Sequence, residues 1–300
     1  MQHVLVFSTS VLSTNLNDIT IAGLLQRSGF AAAGQPPNWL APGKAAEMPY
    51  DNLATKDIAS LRKMANAEQI DVNMVATGNR RKSLLLADMD STIITGESLD
   101  EMAALVGFGD AVAKITARSM NGEMDFEAAV DARVAMFAGQ SASLFEATLA
   151  ATRLTAGARV LVQTMRHYKG HCYLVSGGFN PVVAQVADLC GFHAAHANEM
   201  VINDGVITGE VKKPILGSDS KAQILKRYCD KHALGATDTV AIGDGANDIR
   251  VLKAAGMGVA FNSKPMLREV IDLQLNHTDL TGLLFLQGYC AGDFIFNDEN

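Results

Sequence analysis

The stretch that most constrains this chain is LLLADMDST, in which a run of apolar residues ends on two carboxylates one residue apart. The run from Leu84 to Ala87 is typical of a fully buried strand. Side chains at positions i and i+2 leave a strand on the same side, so Asp88 and Asp90 point into one small volume and repel each other. Two acids at the end of a buried strand have little structural justification, because an unpaired buried charge is costly. We therefore expect a cation at this position.

Short apolar runs continue to alternate with longer amphipathic ones after this point, as HCYLVSGG, TVAIGDG and GMGVAF show. Continuous apolar strands separated by helices predict a Rossmann-like α/β fold, with a parallel sheet covered on both faces. The segment between the first two strands is too long for a simple connection, because about a dozen residues suffice for a crossover. We therefore predict an inserted, mostly helical cap over about residues 100–155, which could act as a lid.

The region before the apolar run has a different order of elements. Residues 1–78 show strand, helix, two weaker strands beside APGK, helix and strand, which is the β-α-β-β-α-β order of a ferredoxin-like α+β domain. The polar TGNRRKS that follows is typical of a linker. We predict two domains, 1–78 and 79–300. The first resembles ACT-type regulatory domains, which often pair across subunits, and this resemblance allows for a homodimer.

Composition narrows the class of partner. Of the 300 residues, 48% are hydrophobic and 19% are charged, and the net charge of −7 is spread without long runs. No basic patch is present that could release counterions, so neither a nucleic acid nor a membrane surface is an expected partner. No apolar run approaches the ~20 residues of a membrane span, and MQHVLVFSTS lacks the basic start of a signal peptide. We expect a cytoplasmic protein with a small-molecule substrate.

Three polar clusters directly follow predicted strands. They are the Asp88 and Asp90 pair, SGGF at 176–179 and GDGANDI at 243–249. In open parallel sheets, ligands bind beyond the carboxyl ends of the strands, so these loops should meet at one site. Carboxylates at Asp88, Asp90 and Asp244 suit a hard cation such as Mg²⁺, which prefers oxygen ligands. A bound Mg²⁺ would explain why the two acids of the first cluster lie together.

Donors for a phosphate are present beside these acids. Ser176 and the amides of Gly177 and Gly178 precede a helix predicted from Pro181, an arrangement that can receive phosphate oxygens. Lys221 opens the amphipathic helix SKAQILKRY and adds a positive charge. Together with a metal ion, these groups would allow a dianionic phosphate to enter an acidic site.

The segments DMDST, SGGF, a lysine that opens a helix, and GDGANDI occur in an order and spacing that resemble the four motifs of the haloacid dehalogenase-like phosphatases. Within that superfamily the resemblance is to the phosphoserine phosphatases, and it covers about residues 84–285. It implies Mg²⁺-dependent hydrolysis of O-phospho-L-serine to L-serine and phosphate through an aspartyl phosphate, the last step of serine biosynthesis. Four ordered motifs are far more specific than a single D-x-D.

The resemblance also implies a role for each motif residue. Asp88 would be the nucleophile, and Asp90 would protonate the departing serine oxygen and later activate water. Mg²⁺ would be bound by the side chains of Asp88 and Asp244 and by the backbone carbonyl of Asp90. The supporting residues would be Asp248 behind the metal, Asn247 in its loop, and Ser176, Gly177 and Lys221 around the transferring phosphoryl oxygens.

Substrate recognition is implied by the same resemblance. Glu97 follows the nucleophile by nine residues, as the ligand of the amino group does in the family, and MNGEMDFEAAVDARV resembles the cap segment. Met120 and Phe126 would close over the substrate, and Arg133 would bind its carboxylate in a bidentate contact, through two guanidinium nitrogens. An acid and an arginine for the two ends of an amino acid favour phosphoserine.

Taken one at a time, these residues also have ordinary explanations. Glu97 and Lys221 could lie on solvated helix turns, Arg133 could belong to a surface ion pair, and Ser176 could belong to a turn. Alternative functions are a phosphotransferase of the same superfamily, a phosphatase for another small phosphorylated metabolite, and a catalytically inactive module that senses amino acids. The inactive module would be favoured by loss of Asp88, Asp90, Lys221 or Asp244, and all four are present.

Overall fold

The computed structural model describes residues 2–10, 12–13, 15–30, 36–50, 58–120 and 123–296. Its first part is a four-stranded antiparallel sheet in the order β2-β3-β1-β4, with two helices. This confirms the ferredoxin-like α+β prediction. The elements are β1 (His3–Thr9), α1 (Asp18–Arg27), β2 (Asn38–Ala41), β3 (Ala45–Tyr50), α2 (Ile58–Ala67) and β4 (Ile70–Ala76).

The second part is a seven-stranded sheet in the order β11-β10-β9-β5-β6-β7-β8. All neighbouring strands are parallel except β7 and β8, so the predicted Rossmann-like α/β fold is confirmed. The strands are β5 (Leu84–Ala87), β6 (His171–Asn180), β7 (Ala194–Asn203), β8 (Val206–Val211), β9 (Thr239–Gly243), β10 (Met257–Phe261) and β11 (Leu273–Leu275). The helices are α3 (Ser98–Leu105), α4 (Gly109–Met120), α5 (Phe126–Ala135), α6 (Leu144–Ala151), α7 (Ala158–His167), α8 (Val182–Cys190), α9 (Ser218–His232), α10 (Ile249–Ala254), α11 (Pro265–Arg268) and α12 (Gly282–Leu286).

Strand β5 lies in the middle of this sheet and is buried on both faces. Leu85 and Ala87 belong to one apolar cluster, whereas Leu84 and Leu86 belong to a second cluster on the other side. This alternation follows from the pleat, which sends successive side chains to opposite faces. Because both faces are covered, the strand has no polar position until it ends at Asp88.

Four helices, α3 to α6, occupy the segment for which an inserted cap is predicted. This segment contacts a hairpin formed by β7 and β8. The sequence analysis did not predict this hairpin. Gly139 donates to the carbonyl of Ile207 over 2.9 Å, and Ala142 donates to the carbonyl of Gly205 over 2.8 Å. The turn of this hairpin has positive φ at Asp204 (49°) and Gly205 (78°), as a tight antiparallel turn requires. These two hydrogen bonds connect the helical segment to the hairpin.

The two sheets are joined at their edge strands β4 and β11. The buried carboxylate of Asp71 accepts hydrogen bonds from the backbone N–H groups of Asn276, His277 and Thr278 over 2.8, 3.0 and 2.8 Å, and from the hydroxyl of Thr278 over 2.8 Å. The side chain of Asn73 exchanges two further bonds of 2.8 Å with the backbone of Gln274. This junction fixes the N-terminal sheet to the end of the larger one. None of the helices in the described ranges is long and apolar enough to span a membrane.

Candidate active site

The SGGF segment, predicted to follow its strand, lies inside β6, which continues to Asn180. These last residues of β6 and the loops that follow β5, β9 and β10 meet at one edge of the large sheet, as expected for the carboxyl ends of parallel strands. They surround a cavity of about 160 Å³. Among the residues predicted to form the site, those that line the cavity are Asp88, Asp90, Glu97, Phe126, Arg133, Gly177, Lys221, Asp244 and Asn247. Ser176 and Asp248 lie just behind this lining, and the side chain of Met120 lies outside the described residues.

Asp88 is fixed in place by the strand it terminates. Its backbone N–H donates to the carbonyl of Ile242 on β9 over 3.0 Å, and the chain then bends sharply within Met89–Ile93, where Asp90 and Ser91 are not helical. Ser91 in this turn has φ +54°, in the left-handed region that few non-glycine residues adopt. The sharp change of direction keeps Asp88, which is 4% exposed, at the floor of the cavity.

Lys221 lies between two carboxylates. Its Nζ is 2.6 Å from Asp88 Oδ1 and 2.6 Å from Asp248 Oδ1, and all three side chains are buried. Burial opposes the positive charge, but Asp248 and Asp88 outweigh it and raise the pKa of Lys221. Lys221 therefore remains an ammonium group. Its position excludes the solvated helix turn that its sequence context also allowed.

The acidic residues exceed the charge that Lys221 supplies. Carboxylate oxygens of Asp88, Asp244 and Asp248 lie within 4.8 Å of one another. Burial and the neighbouring Asp248 raise the pKa of Asp88, although Lys221 lowers it. Burial, followed by Asp248, raises the pKa of Asp244 to about 7. Three buried carboxylates beside one ammonium group form an oxygen donor set that fits a divalent cation.

Gly243 is necessary for this arrangement of carboxylates. A Cβ atom at this position would lie 2.4 Å from the carboxylate carbon of Asp248. Asp248 is 1% exposed and uses both oxygens, since Oδ1 contacts Lys221 and Oδ2 accepts from the Gly245 N–H over 3.2 Å. Asp248 is thus already engaged by protein groups, whereas Asp88 and Asp244 line the cavity. This difference agrees with a supporting position for Asp248.

Asp90 is oriented by two donors. The backbone N–H of Ser98 donates to Oδ1 over 2.7 Å, and the hydroxyl of Ser176 donates to Oδ2 over 2.9 Å. Ser176 is fully buried and accepts from the Gly178 N–H over 2.8 Å. The hydroxyl of Ser176 thus links the Gly178 amide to the carboxyl group of Asp90. Gly177 is the residue of this motif that lines the cavity together with Gly178.

The cavity is also lined by Glu97 and Arg133. Glu97 Oε1 accepts from the hydroxyl of Ser91 over 2.6 Å, and burial, then Asp90, raises the pKa of Glu97. Arg133 is half-buried, and its Nε donates to the carbonyl of Ala129 over 3.2 Å. Burial lowers the pKa of Arg133, whereas Asp100 and Glu97 raise it. Arg133 therefore lies within the electrostatic reach of Asp100 and Glu97.

Helix α5 brings Arg133 and Phe126 to the cavity from the cap segment. The Phe126 ring lies against Gly217, where a Cβ atom would be 3.5 Å from Cε1. Phe126 is 39% exposed, whereas the buried face of this helix is formed by Ala129, Val130 and Val134. Phe126 contacts the rim of the cavity instead of the interior of the cap.

Sequence reasoning missed five lining residues, which are Ser98, Leu99, Leu216, Gly217 and Lys264. Lys264 had a detectable signal, because it follows the apolar strand GMGVAF just as the other polar clusters follow their strands. Leu216 had none, since it belongs to the loop before α9 and reaches the cavity only through the tertiary fold.

Comparison with known proteins identifies the family. Residues 85–253, more than half of the chain, match the family model of the haloacid dehalogenase-like hydrolases. The chain belongs to this family. A haloacid dehalogenase family hydrolase of known structure from Salmonella enterica serovar Typhi is 26% identical, with a TM-score of 0.86 over 95% of this chain and 98% of that one. This similarity extends over both sheets of the present hydrolase.

Two phosphoserine phosphatases are also similar to this hydrolase. The enzyme of Streptomyces coelicolor is 40% identical over 250 residues, which are 82% of this chain and 61% of that protein. The chain therefore spans about three fifths of the length of that relative. A structure described as a phospho-aspartyl intermediate analogue of phosphoserine phosphatase is 34% identical, with a TM-score of 0.64 over 68% of this chain and 98% of that one.

Proposed function

We propose that this haloacid dehalogenase-like hydrolase is a Mg²⁺-dependent phosphatase that converts O-phospho-L-serine to L-serine and phosphate. The observation that supports it best is the position of Asp88, at the floor of a cavity and 2.6 Å from the ammonium group of Lys221. Asp90, Glu97 and Arg133 line the same cavity. A phosphoryl-transfer centre thus adjoins groups of both charges, as a phosphorylated amino acid requires.

In the first step, a carboxylate oxygen of Asp88 attacks phosphorus and the bond between phosphorus and the serine oxygen breaks. Asp90 gives its proton to the departing oxygen, so serine leaves as an alcohol. Asp90 is suited to this role because the Ser98 N–H holds its Oδ1, which leaves Oδ2 for the proton once Ser176 turns to the substrate. The products of this step are L-serine and an aspartyl phosphate on Asp88.

In the second step, water attacks the aspartyl phosphate. Asp90, now ionised, takes a proton from the water, and the bond between phosphorus and the Asp88 oxygen breaks. Phosphate leaves and both carboxyl groups return to their starting state. Lys221 and the Gly177 amide offset the charge on the phosphoryl oxygens in both steps, and Ser176 joins them by exchanging its bond to Asp90 for one to the substrate.

Mg²⁺ is the cation that this donor set fits best, because carboxylate and carbonyl oxygens are the ligands it prefers. We propose that the Asp88 and Asp244 side chains and the Asp90 carbonyl hold it, with Asp248 behind them and Asn247 in the same loop. When bound, the ion supplies positive charge for the phosphoryl oxygens.

Two further lining residues, Glu97 and Arg133, select the amino acid. Glu97 pairs with the substrate ammonium group, and Arg133 pairs with its carboxylate. Phe126 covers the substrate from the cap. Glu97 lies at the N-terminal boundary of α3, and Arg133 lies on α5. Because the two groups lie on different elements, closure of the cap brings them together around the substrate.

We also propose the division into an N-terminal ACT-like domain, 1–78, and a phosphatase domain, 79–300, with the cap inserted at about 100–155. The alternatives remain a phosphotransferase, which would pass the phosphoryl group from Asp88 to an alcohol, and an inactive amino-acid sensor. The sensor is disfavoured by the buried contact between Lys221 and Asp88, since a binding module has no need of this costly arrangement.

The test is phosphate release from O-phosphoserine, O-phosphothreonine, phosphoethanolamine and glycerol phosphate, after chelation and again with added Mg²⁺. Phosphoserine should be the best substrate, and only with the metal. Addition of homoserine distinguishes a phosphatase from a phosphotransferase, because the phosphotransferase would form phosphohomoserine at the expense of free phosphate. Absence of phosphate release from phosphoserine with Mg²⁺ present would refute the proposal.

A further inference from the structure

Lys264 is a cavity residue to which the phosphatase motifs assign no role. It is the third residue after β10 and the boundary residue that begins α11, so it belongs to the fourth loop at the catalytic edge of the sheet. Its backbone N–H donates to the carbonyl of Asp244 over 3.3 Å. This bond joins the Lys264 loop to the loop that bears the proposed metal ligand. The position of Lys264 is thus fixed by the core of the enzyme and not by the cap.

The side chain of Lys264 is exposed and lines the same cavity as Glu97 and Arg133. Within the described ranges, its ammonium group has no carboxylate within 4.0 Å and no hydrogen-bond partner. Lys221 differs in this respect, because it is held by two buried carboxylates. Lys264 therefore retains its capacity to bind an anion that enters the cavity.

The field of Lys264 reaches Asp244 of the proposed metal site and two acids that also act on Arg133, Glu97 and Asp100. Its charge lowers the pKa values of Glu97 and Asp100, which burial raises. Arg133 lowers the pKa of Asp100 as well. Two cations from different parts of the chain, Lys264 from the core and Arg133 from the cap, therefore act on the same pair of acids.

A substrate carboxylate bound by Arg133 would lie in the field of Glu97 and Asp100, which both act on this arginine. With Glu97 paired to the substrate ammonium group, Arg133 still faces two negative charges, that of Asp100 and that of the carboxylate, so a second cation would make the entry of the carboxylate more favourable. Lys264 lines the same cavity as Arg133 and comes from the core of the enzyme.

We infer that Lys264 is a second binding residue for the substrate's α-carboxylate, which acts from the core while Arg133 acts from the cap. The inference rests on the proposed function and extends it. It assigns to the core a charge that recognises the amino acid before the cap closes. The role is in binding, since the α-carboxylate takes no part in bond breaking.

The test compares Lys264→Gln and Lys264→Arg with the wild type, using phosphoserine and p-nitrophenyl phosphate, which has no α-carboxylate. The KM for phosphoserine should rise about tenfold in Lys264→Gln, because a charge-assisted bond is lost, and kcat should change little. Values for p-nitrophenyl phosphate should stay within about twofold. Lys264→Arg should recover most of the loss. The control is Lys253→Gln, which removes an exposed lysine of α10 away from the cavity.

Equal losses for both substrates in Lys264→Gln would overturn the inference, since they would place the lysine at the phosphoryl or metal end. Unchanged values for both substrates would overturn it as well. Failure of the proposed function has a separate signature, because the wild type would then hydrolyse p-nitrophenyl phosphate but not phosphoserine. The two failures are therefore distinguishable in one set of measurements.

Discussion

Ser176 Oγ donates a hydrogen bond to Asp90 Oδ2 over 2.9 Å, from a side chain that is fully buried. The other oxygen of Asp90 accepts from the Ser98 N–H over 2.7 Å. The carboxyl group is therefore held from two sides before any substrate enters. This is the preorganisation that a general acid needs, because its proton must lie in reach of one particular oxygen.

The role of Asp90 can be tested with leaving groups. Asp90→Asn should slow phosphoserine hydrolysis by about 10² to 10⁴, because the serine alkoxide cannot leave without a proton. Hydrolysis of p-nitrophenyl phosphate should fall much less, since p-nitrophenolate leaves unprotonated. The measurement is kcat/KM for both esters, with the exposed Asp110→Asn as control. If both esters slowed equally, Asp90 would have a role other than proton transfer.

Arg133 can be tested by removal of the substrate carboxylate. Arg133→Ala should lower kcat/KM for phosphoserine by about ten- to a hundredfold, because a charge-assisted bond of about 1.5 to 3 kcal/mol is lost. Phosphoethanolamine, which lacks the carboxylate, should be a poor substrate that changes little. Glu97→Ala should harm both amino-bearing esters. A matching loss for phosphoethanolamine in Arg133→Ala would mean that the arginine stabilises the cap instead.

The acidic cluster predicts how the effect of Mg²⁺ on stability depends on pH. Asp244 has a pKa of about 7 in the folded, metal-free enzyme, above its ordinary value of 3.8, so the folded state binds the proton more tightly. Stability of the metal-free enzyme should therefore fall as pH rises toward about 7. Mg²⁺ should raise Tm more at pH 8 than at pH 5.5, and Asp244→Asn should remove most of this difference. An equal Mg²⁺ shift at both pH values would contradict the assignment of the cluster as the metal site.

The junction between the sheets predicts a stability effect without an effect on chemistry. Asp71→Ala leaves three backbone N–H groups and a hydroxyl without their acceptor, and it should lower the free energy of unfolding by about 3 kcal/mol. Urea unfolding measures this change, with Asp110→Ala as control. At temperatures where the variant stays folded, kcat for phosphoserine should be close to that of the wild type. A loss below about 1 kcal/mol would show that the junction contributes little.

Much of the core and of the site could be predicted from the sequence, because burial on both faces leaves a recognisable pattern in the strands. Strands of a parallel sheet buried on both faces are continuous apolar runs, so β5 and β9 are recognisable, and Asp88 and Asp244 follow them directly. The order of elements around β1 and β4 was equally clear. Ends of strands in such a sheet converge, and this rule alone brought the acidic residues together.

The rest depends on tertiary contacts that leave no local pattern. Strand β7 is half-exposed and lacks regular alternation, so its hairpin with β8 was not predicted. The exposure of Phe126 depends on what α5 packs against, and the bond between Ser176 and Gly178 depends on the path of β6 after Val175. Asp71 is separated from its partners by about 205 residues, a pairing that no sequence period can indicate.

The most direct test of the account is to trap the phosphorylated enzyme. Wild-type enzyme mixed with phosphoserine and Mg²⁺, quenched in acid and digested, should yield one peptide that carries a hydroxylamine-sensitive phosphate on Asp88. Asp88→Asn should give no such peptide and no measurable turnover, while Asp110→Asn should give both. Undiminished hydrolysis by Asp88→Asn, or a phosphate attached to a different residue, would contradict the central claim that Asp88 is the nucleophile.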